Sequence, residues 1–239
     1  MMLYLECRSG VTADLMLASL VSLMDDPNGI SEMFSAAGVP AKITAERSES
    51  SSISGIKLKI VTDEDRHGHV HHSLSGIIRT IDSLKASDKV KQDAKGVFGI
   101  LAKAESEIHD MPINDVHFHE VGSPENVAAV IGICLMIERL SPERIVSSPV
   151  CTGFGHVRCA HGILPIPAPA AASILKGIPV YAGEVEGEMC TPTGAALLAH
   201  FVSSYGNLPS VEYSRIGYGL TSKTEAFRLL RSFLCESSD

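Results

Sequence analysis

Residues 41–62 read AKITAERSESSSISGIKLKIVT, and their pattern decides the class of fold. Ile56, Leu58 and Ile60 alternate with Lys57 and Lys59, the period of two that places apolar side chains on one face of a strand. The serine-rich centre over residues 48–54, followed by Gly55, inserts turn chemistry into a β-branched run and predicts a hairpin or loop. Two helices are predicted next, over residues 75–84 and 88–109. The second sets Val90, Val97, Ile100, Leu101, Ala104 and Ile108 on its inner face. A hairpin followed by adjacent helices breaks a strict strand–helix rhythm. The predicted class is therefore mixed α/β or α+β, with interleaved strands and helices, a β hairpin and a mixed sheet.

Working outward, residues 3–7 form an apolar run that reads as a buried strand, broken by Arg8-Ser9-Gly10. Leu15, Leu17, Leu20 and Leu23 then give helical spacing over residues 13–24, and a short helix over 31–37 is closed by Gly38 and Pro40. Downstream, a strand is predicted over 115–121, a helix over 124–140 and a strand over 144–150. Residues 151–169 are rich in glycine and proline, which implies irregular backbone. A helix over 169–175, stopped by Gly177, leads to a strand-like segment over 180–186, a helix over 192–205 and a last strand over 211–216. There is no repeat and no linker, so residues 1–239 read as one domain.

Of the 239 residues, 45% are hydrophobic, 5% aromatic and none is Trp, which predicts an aliphatic core. A net charge of −8, without a basic stripe, argues against a general nucleic-acid binder. The six cysteines form no CxxC pair, and residues 1–5 run straight into Glu6 instead of a secretory leader. Both point to a reducing, cytoplasmic setting. The most apolar stretch, 127–140, is too short to span a bilayer and ends in Glu138-Arg139, so it reads as a buried helix and no membrane partner is expected.

The ten histidines are unevenly placed. His67, His69, His71 and His72 fall within six residues, and His117-Phe118-His119 is followed by Glu120. Imidazole suits Ni, Zn, Cu and Fe. On an extended strand His117 and His119 share one face, with Phe118 and Glu120 on the other. The pair reads either as metal ligands or as hydrogen-bonded histidines at a strand edge. The 67–72 run reads either as a metal-handling segment or as a solvated loop that chelates incidentally. Neither matches a zinc finger or an HExxH helix.

Two segments have the chemistry of anion sites. Ser9-Gly10-Val11-Thr12-Ala13-Asp14 joins a strand to a helix start, and its N–H groups and hydroxyls suit either a phosphate or an ordinary cap by Ser9 or Thr12. Thr191-Pro192-Thr193-Gly194 is a natural N-cap with Pro at the first helical position, with Thr193 and the N–H groups of Gly194 and Ala195 expected to face outward. Gly153 and His161-Gly162, in the irregular segment, either permit close approach of a ligand or simply allow turns.

Taken together, these segments resemble the LarC-type nickel-insertion family. The matching runs include residues 5–14, Ser54-Gly55-Ile56-Lys57, the histidine run, VHFHEVG (116–122), residues 148–153, CAHGILPIPAP (159–169), residues 175–179 and TPTGAALL (191–198), in that order across nearly the whole chain. The resemblance implies a cytoplasmic nickel chelatase of the lyase class. It acts on pyridinium-3,5-bisthiocarboxylic acid mononucleotide to make the nickel-pincer nucleotide cofactor, using CTP with a divalent cation (Mn or Mg). On this chain it implies nickel handling by His67, His69, His71, His72, His117 and His119. A neutral histidine or Glu120 would take up the proton released when nickel bonds to carbon. The mononucleotide would meet Ser9, Gly10, Thr12, Gly153, His161, Thr191, Thr193 and Gly194. The chain departs from the family pattern at Glu6, Arg8 and Ala13, at Glu125 and Ala129 where two aspartates are usual, and at Gly76. Full-length relatives continue into a second, C-terminal domain, which implies a C-terminal-domain subunit as a partner; a homo-oligomer is the other assembly considered. Two readings compete with nickel insertion: a non-catalytic nickel metallochaperone or cofactor-binding module, and a metal-dependent hydrolase using Glu120. The hydrolase reading has no acid pair to support it. Cys7 and Cys159 read as small buried residues rather than ligands.

Overall fold

The computed structural model describes residues 1–50, 52–62, 72–160, 162–221 and 228–236. Seven strands form the main sheet: β1 (Met2–Glu6), β2 (Lys42–Ser50), β3 (Ile53–Val61), β4 (Arg144–Ser147), β5 (Ser204–Tyr205), β6 (Tyr213–Leu220) and β7 (Leu229–Cys235). Their order across the sheet is β5-β4-β1-β7-β6-β3-β2. β1 runs parallel to β4 and antiparallel to β7, and β3 runs parallel to β6, so the sheet is mixed as expected. β2 and β3 form the predicted hairpin, in register from Lys42↔Val61 to Ser50↔Ile53.

Seven helices accompany the sheet among the described residues: α1 (Ala13–Val21), α2 (Gly29–Ala37), α3 (Leu74–Ser83), α4 (Asp88–His109), α5 (Pro124–Leu140), α6 (Pro169–Ile174) and α7 (Pro192–Phe201). The continuous apolar run of β1 has a simple cause: the strand is covered on both faces. Leu3 and Leu5 join the main core, while Met2 and Tyr4 pack with Val146, Phe233 and Cys235 on the other side. α5 is buried from Val127 to Ile137 and packs on α1 and α4. Val130, Ile131 and Ile133, all fully buried, stabilise the fold by roughly 2 kcal/mol each.

α1 lies on the sheet at backbone distance. A Cβ on Gly217 would stand 2.0 Å from the Ser19 carbonyl oxygen, and one on Gly219 would stand 2.3 Å from that of Leu15. A buried hydroxyl pair, Ser19 with Ser232 at 2.7 Å, ties the helix to β7.

Several predicted elements differ. The last predicted strand runs on to Leu220 and is followed by β7, with Gly217 and Gly219 admitting α1. Residues 115–121 are not a strand: two 3-10 turns, Ile113–Asp115 and Glu120–Gly122, flank a two-residue strand, His117–Phe118. The strand predicted over 180–186 is reduced to Val180–Tyr181, and α7 stops at Phe201. The irregular segment contains a hairpin, His156–Cys159 with Gly162–Pro165. No helix among the described residues is long and apolar enough to cross a membrane.

Candidate functional site

Three helix N-termini converge on one cavity of about 820 Å³. The joint between α1 and α7 is made by backbone. The Val11 N–H donates to Met189 O at 2.9 Å, and the Thr191 N–H donates to Val11 O at 3.2 Å. Gly10 sits at φ +84, where a side chain is strained, and its Cβ would lie 2.0 Å from the Met189 carbonyl oxygen. Each helix is capped by a hydroxyl: Thr12 accepts from Leu15 N, Ser123 from Asn126 N and Thr191 from Gly194 N. The Asn126 amide fastens α5 to α7, donating to Val121 O at 2.6 Å and to the Thr193 hydroxyl at 3.0 Å. Asp14 and Glu125 stand in the first turns of α1 and α5, so on this wall the positive helix ends meet carboxylates.

The histidine pair enters from the turn before α5. Phe118 is buried against Phe98, with ring centroids 6.3 Å apart, while His117 and His119 both line the cavity. Glu120 lines it too, contrary to the expectation that it faces away. The 3-10 turn that begins at Glu120 ends the strand alternation, and the Glu120 carboxylate accepts from Ala160 N at 3.0 Å. His72 pairs through its backbone with Phe118, between the two cavity histidines. His67, His69, His71 and His161 lie outside the described residues. Among the described residues, no group of three or more His, Cys, Asp or Glu side chains is assembled to hold an ion.

Of the predicted anion-site residues, Thr12, Thr191 and Thr193 line the cavity. Ser9, Gly10, Gly153 and Gly194 do not. The Gly194 N–H is taken by the Thr191 hydroxyl and the Ala195 N–H by Thr191 O, so neither faces outward as expected. Gly153 pairs with Glu188 between two short strands and so helps set that carboxylate in the wall. Cys7 is fully buried, and burial pushes its thiol up to about 12. Cys159, half-buried, lines the cavity.

Sequence reasoning missed several lining groups. His109 and Glu105, at the C-terminal end of α4, stand 3.4 Å apart in the wall. Asp14 accepts from the hydroxyl of Thr12 and from that of Thr221 at 2.9 Å. Glu125 accepts from the Thr62 hydroxyl at 2.8 Å. Glu188 is a perturbed carboxyl: burial pushes it up to about 7, Arg228 opposes the shift, and the charge of Glu120 adds to it. Burial lowers the Arg228 guanidinium, which Glu188 and Asp14 help to hold charged. Asp14 and Glu125 fall in segments that the sequence singles out, but without a role for their carboxylates, and His109 is a lone histidine at a helix end.

The arrangement combines imidazoles suited to a transition metal with hydroxyls and helix N-termini suited to an oxyanion. The family model described as nickel insertion protein matches residues 3–239. A pyridinium-3,5-bisthiocarboxylic acid mononucleotide nickel insertion protein of Staphylococcus epidermidis is 39% identical over 98% of this chain and 59% of its own length. Proteins of the same description from Staphylococcus saprophyticus and Clostridium kluyveri are 39% and 36% identical, over 94% and 98% of this chain and 57% and 62% of their own lengths. The chain thus spans about 60% of the curated relatives it matches. No solved structure matches it at a significant level. With the match running through nearly every residue, the chain belongs to the nickel insertion protein family.

Proposed function

We propose that the cavity is where nickel is placed into pyridinium-3,5-bisthiocarboxylic acid mononucleotide, the substrate in the names of the relatives. The observation that carries this reading is the meeting of His117 and His119 with the Thr12, Thr191 and Thr193 hydroxyls in one cavity. Its volume, about 820 Å³, suits one mononucleotide with its ion. Nickel is a substrate here. Two imidazoles hold it and leave coordination positions for the sulfurs of the mononucleotide. His67, His69, His71 and His72 are assigned its delivery, on the support that the His72 backbone pairs between the two cavity histidines. A neutral histidine or Glu120 takes up the released proton.

CTP and its Mn or Mg ion are assigned to the part of the relatives that this chain does not match. The six free thiols suit a reducing cytoplasm. A single-turnover assay with purified chain, nickel and the mononucleotide tests the reading. It is run with and without CTP and the C-terminal part of a relative, following metallation by absorbance. His117→Ala/His119→Ala is expected to slow metallation by more than about 100-fold. Metallation at the wild-type rate in that variant would remove the nickel role from the pair.

A further inference from the structure

Arg228 directly precedes β7 and Thr221 directly follows β6, next to the last register pair, Leu220 with Leu229. Arg228 lines the same cavity as Thr12, Thr191 and Thr193. The Nε of Arg228 is buried and makes no hydrogen bond among the described residues. Guanidinium donors in a protein interior are rarely left unmatched, and an arginine in a cavity wall with one donor unmatched can turn its fork toward an acceptor that arrives with a ligand. The neighbouring carboxylates do not take that role. Asp14 is engaged by the hydroxyls of Thr12 and Thr221, and Glu188 acts on Arg228 through space without an ion pair among the described residues.

We infer that Arg228 anchors the phosphate monoester of the mononucleotide, with the hydroxyls of Thr191 and Thr193 and the N-termini of α1 and α7 around it. This rests on the mononucleotide reading above. Three features favour phosphate as the ligand. Arginine offers a planar fork of donors that matches phosphate oxygens. α1 and α7 are joined at their N-termini by the Val11–Cys190 bridge, and Thr221 bonds to Asp14 in the first turn of α1, so helix ends, hydroxyls and guanidinium belong to one wall. Glu188 supports the assignment because its burial makes it shed negative charge more readily than an ordinary glutamate, leaving the field of Arg228 less opposed.

Calorimetric titration of the full chain with nicotinic acid mononucleotide and with its dephosphorylated riboside, without nickel, tests the assignment. Wild type is expected to bind the mononucleotide at least about tenfold more tightly than the riboside. Arg228→Gln should lose that increment while keeping its riboside affinity, which also reports that the variant is folded. Arg228→Lys should recover part of it, since the charge returns without the fork. An Arg228→Gln protein that keeps the full phosphate increment would overturn the assignment and leave the mononucleotide reading in place. Equal wild-type binding of the two ligands would overturn the phosphate subsite itself. Wild-type binding of neither ligand would overturn the mononucleotide reading and the assignment with it.

Discussion

Gly194→Ala is expected to lower the melting temperature by roughly 10 °C, against the direction of helix propensity. Gly194 lies in the first turn of α7 with ordinary helical geometry, where Ala is intrinsically better by about 1 kcal/mol. The added Cβ would lie 2.1 Å from the Val11 carbonyl oxygen and 2.7 Å from its carbon. Both atoms are backbone, so the α7 N-terminus and the loop before α1 must separate. That movement breaks the Thr191–Val11 hydrogen bond and costs about 3 kcal/mol or more. Gly99→Ala serves as the contrast. It sits inside α4 with nothing within 4 Å of the new Cβ, and a gain of about 1 kcal/mol is expected. Thermal denaturation of the two variants separates contact from propensity. Equal stabilisation of both would mean that α1 and α7 are not joined this tightly.

The second large effect is pH-dependent stability from Glu188. A carboxyl raised from 4.5 to about 7 by burial is tolerated in its neutral form and costs stability once ionised. Its contribution is fully present below the unfolded value and is lost as pH rises through about 7. Gln mimics the neutral carboxyl. Glu188→Gln should therefore match wild type near pH 4.5 and exceed it at pH 8 by on the order of 2 kcal/mol, roughly 5 °C in melting temperature. Arg228 and Glu120, the charges acting on Glu188, are kept in the variant. A variant less stable than wild type at pH 8 would show that attraction to Arg228 outweighs burial.

These two residues also mark where sequence reading reached its limit. Local periodicity located the β2–β3 hairpin, α4 and α5, because each carries its period within its own span. The pair His117 and His119 was visible for the same reason: two imidazoles either side of a buried Phe118 announce a shared face. β7 was not visible, and β6 was cut short before Gly217 and Gly219. Their cause is the approach of α1, some 200 residues earlier in sequence. Glu188 and Arg228 carry no local signature. Glu188 reaches the cavity through its pairing with Gly153, and Arg228 through the β6–β7 register. Gly10 and Gly194 looked like anion-loop glycines. In the structure they let two backbones meet, and the cavity-facing chemistry falls to Thr12, Thr191 and Thr193.

The central claim is that His117 and His119 hold nickel in this cavity. Nickel-edge X-ray absorption on the chain with one equivalent of nickel and the mononucleotide reads the ligands directly. Wild type should show imidazole and sulfur scattering together, with the imidazole signal lost in His117→Ala/His119→Ala and kept when the histidines at 67, 69, 71 and 72 are replaced. An imidazole signal that survives loss of His117 and His119, and disappears with the 67–72 run, would contradict it.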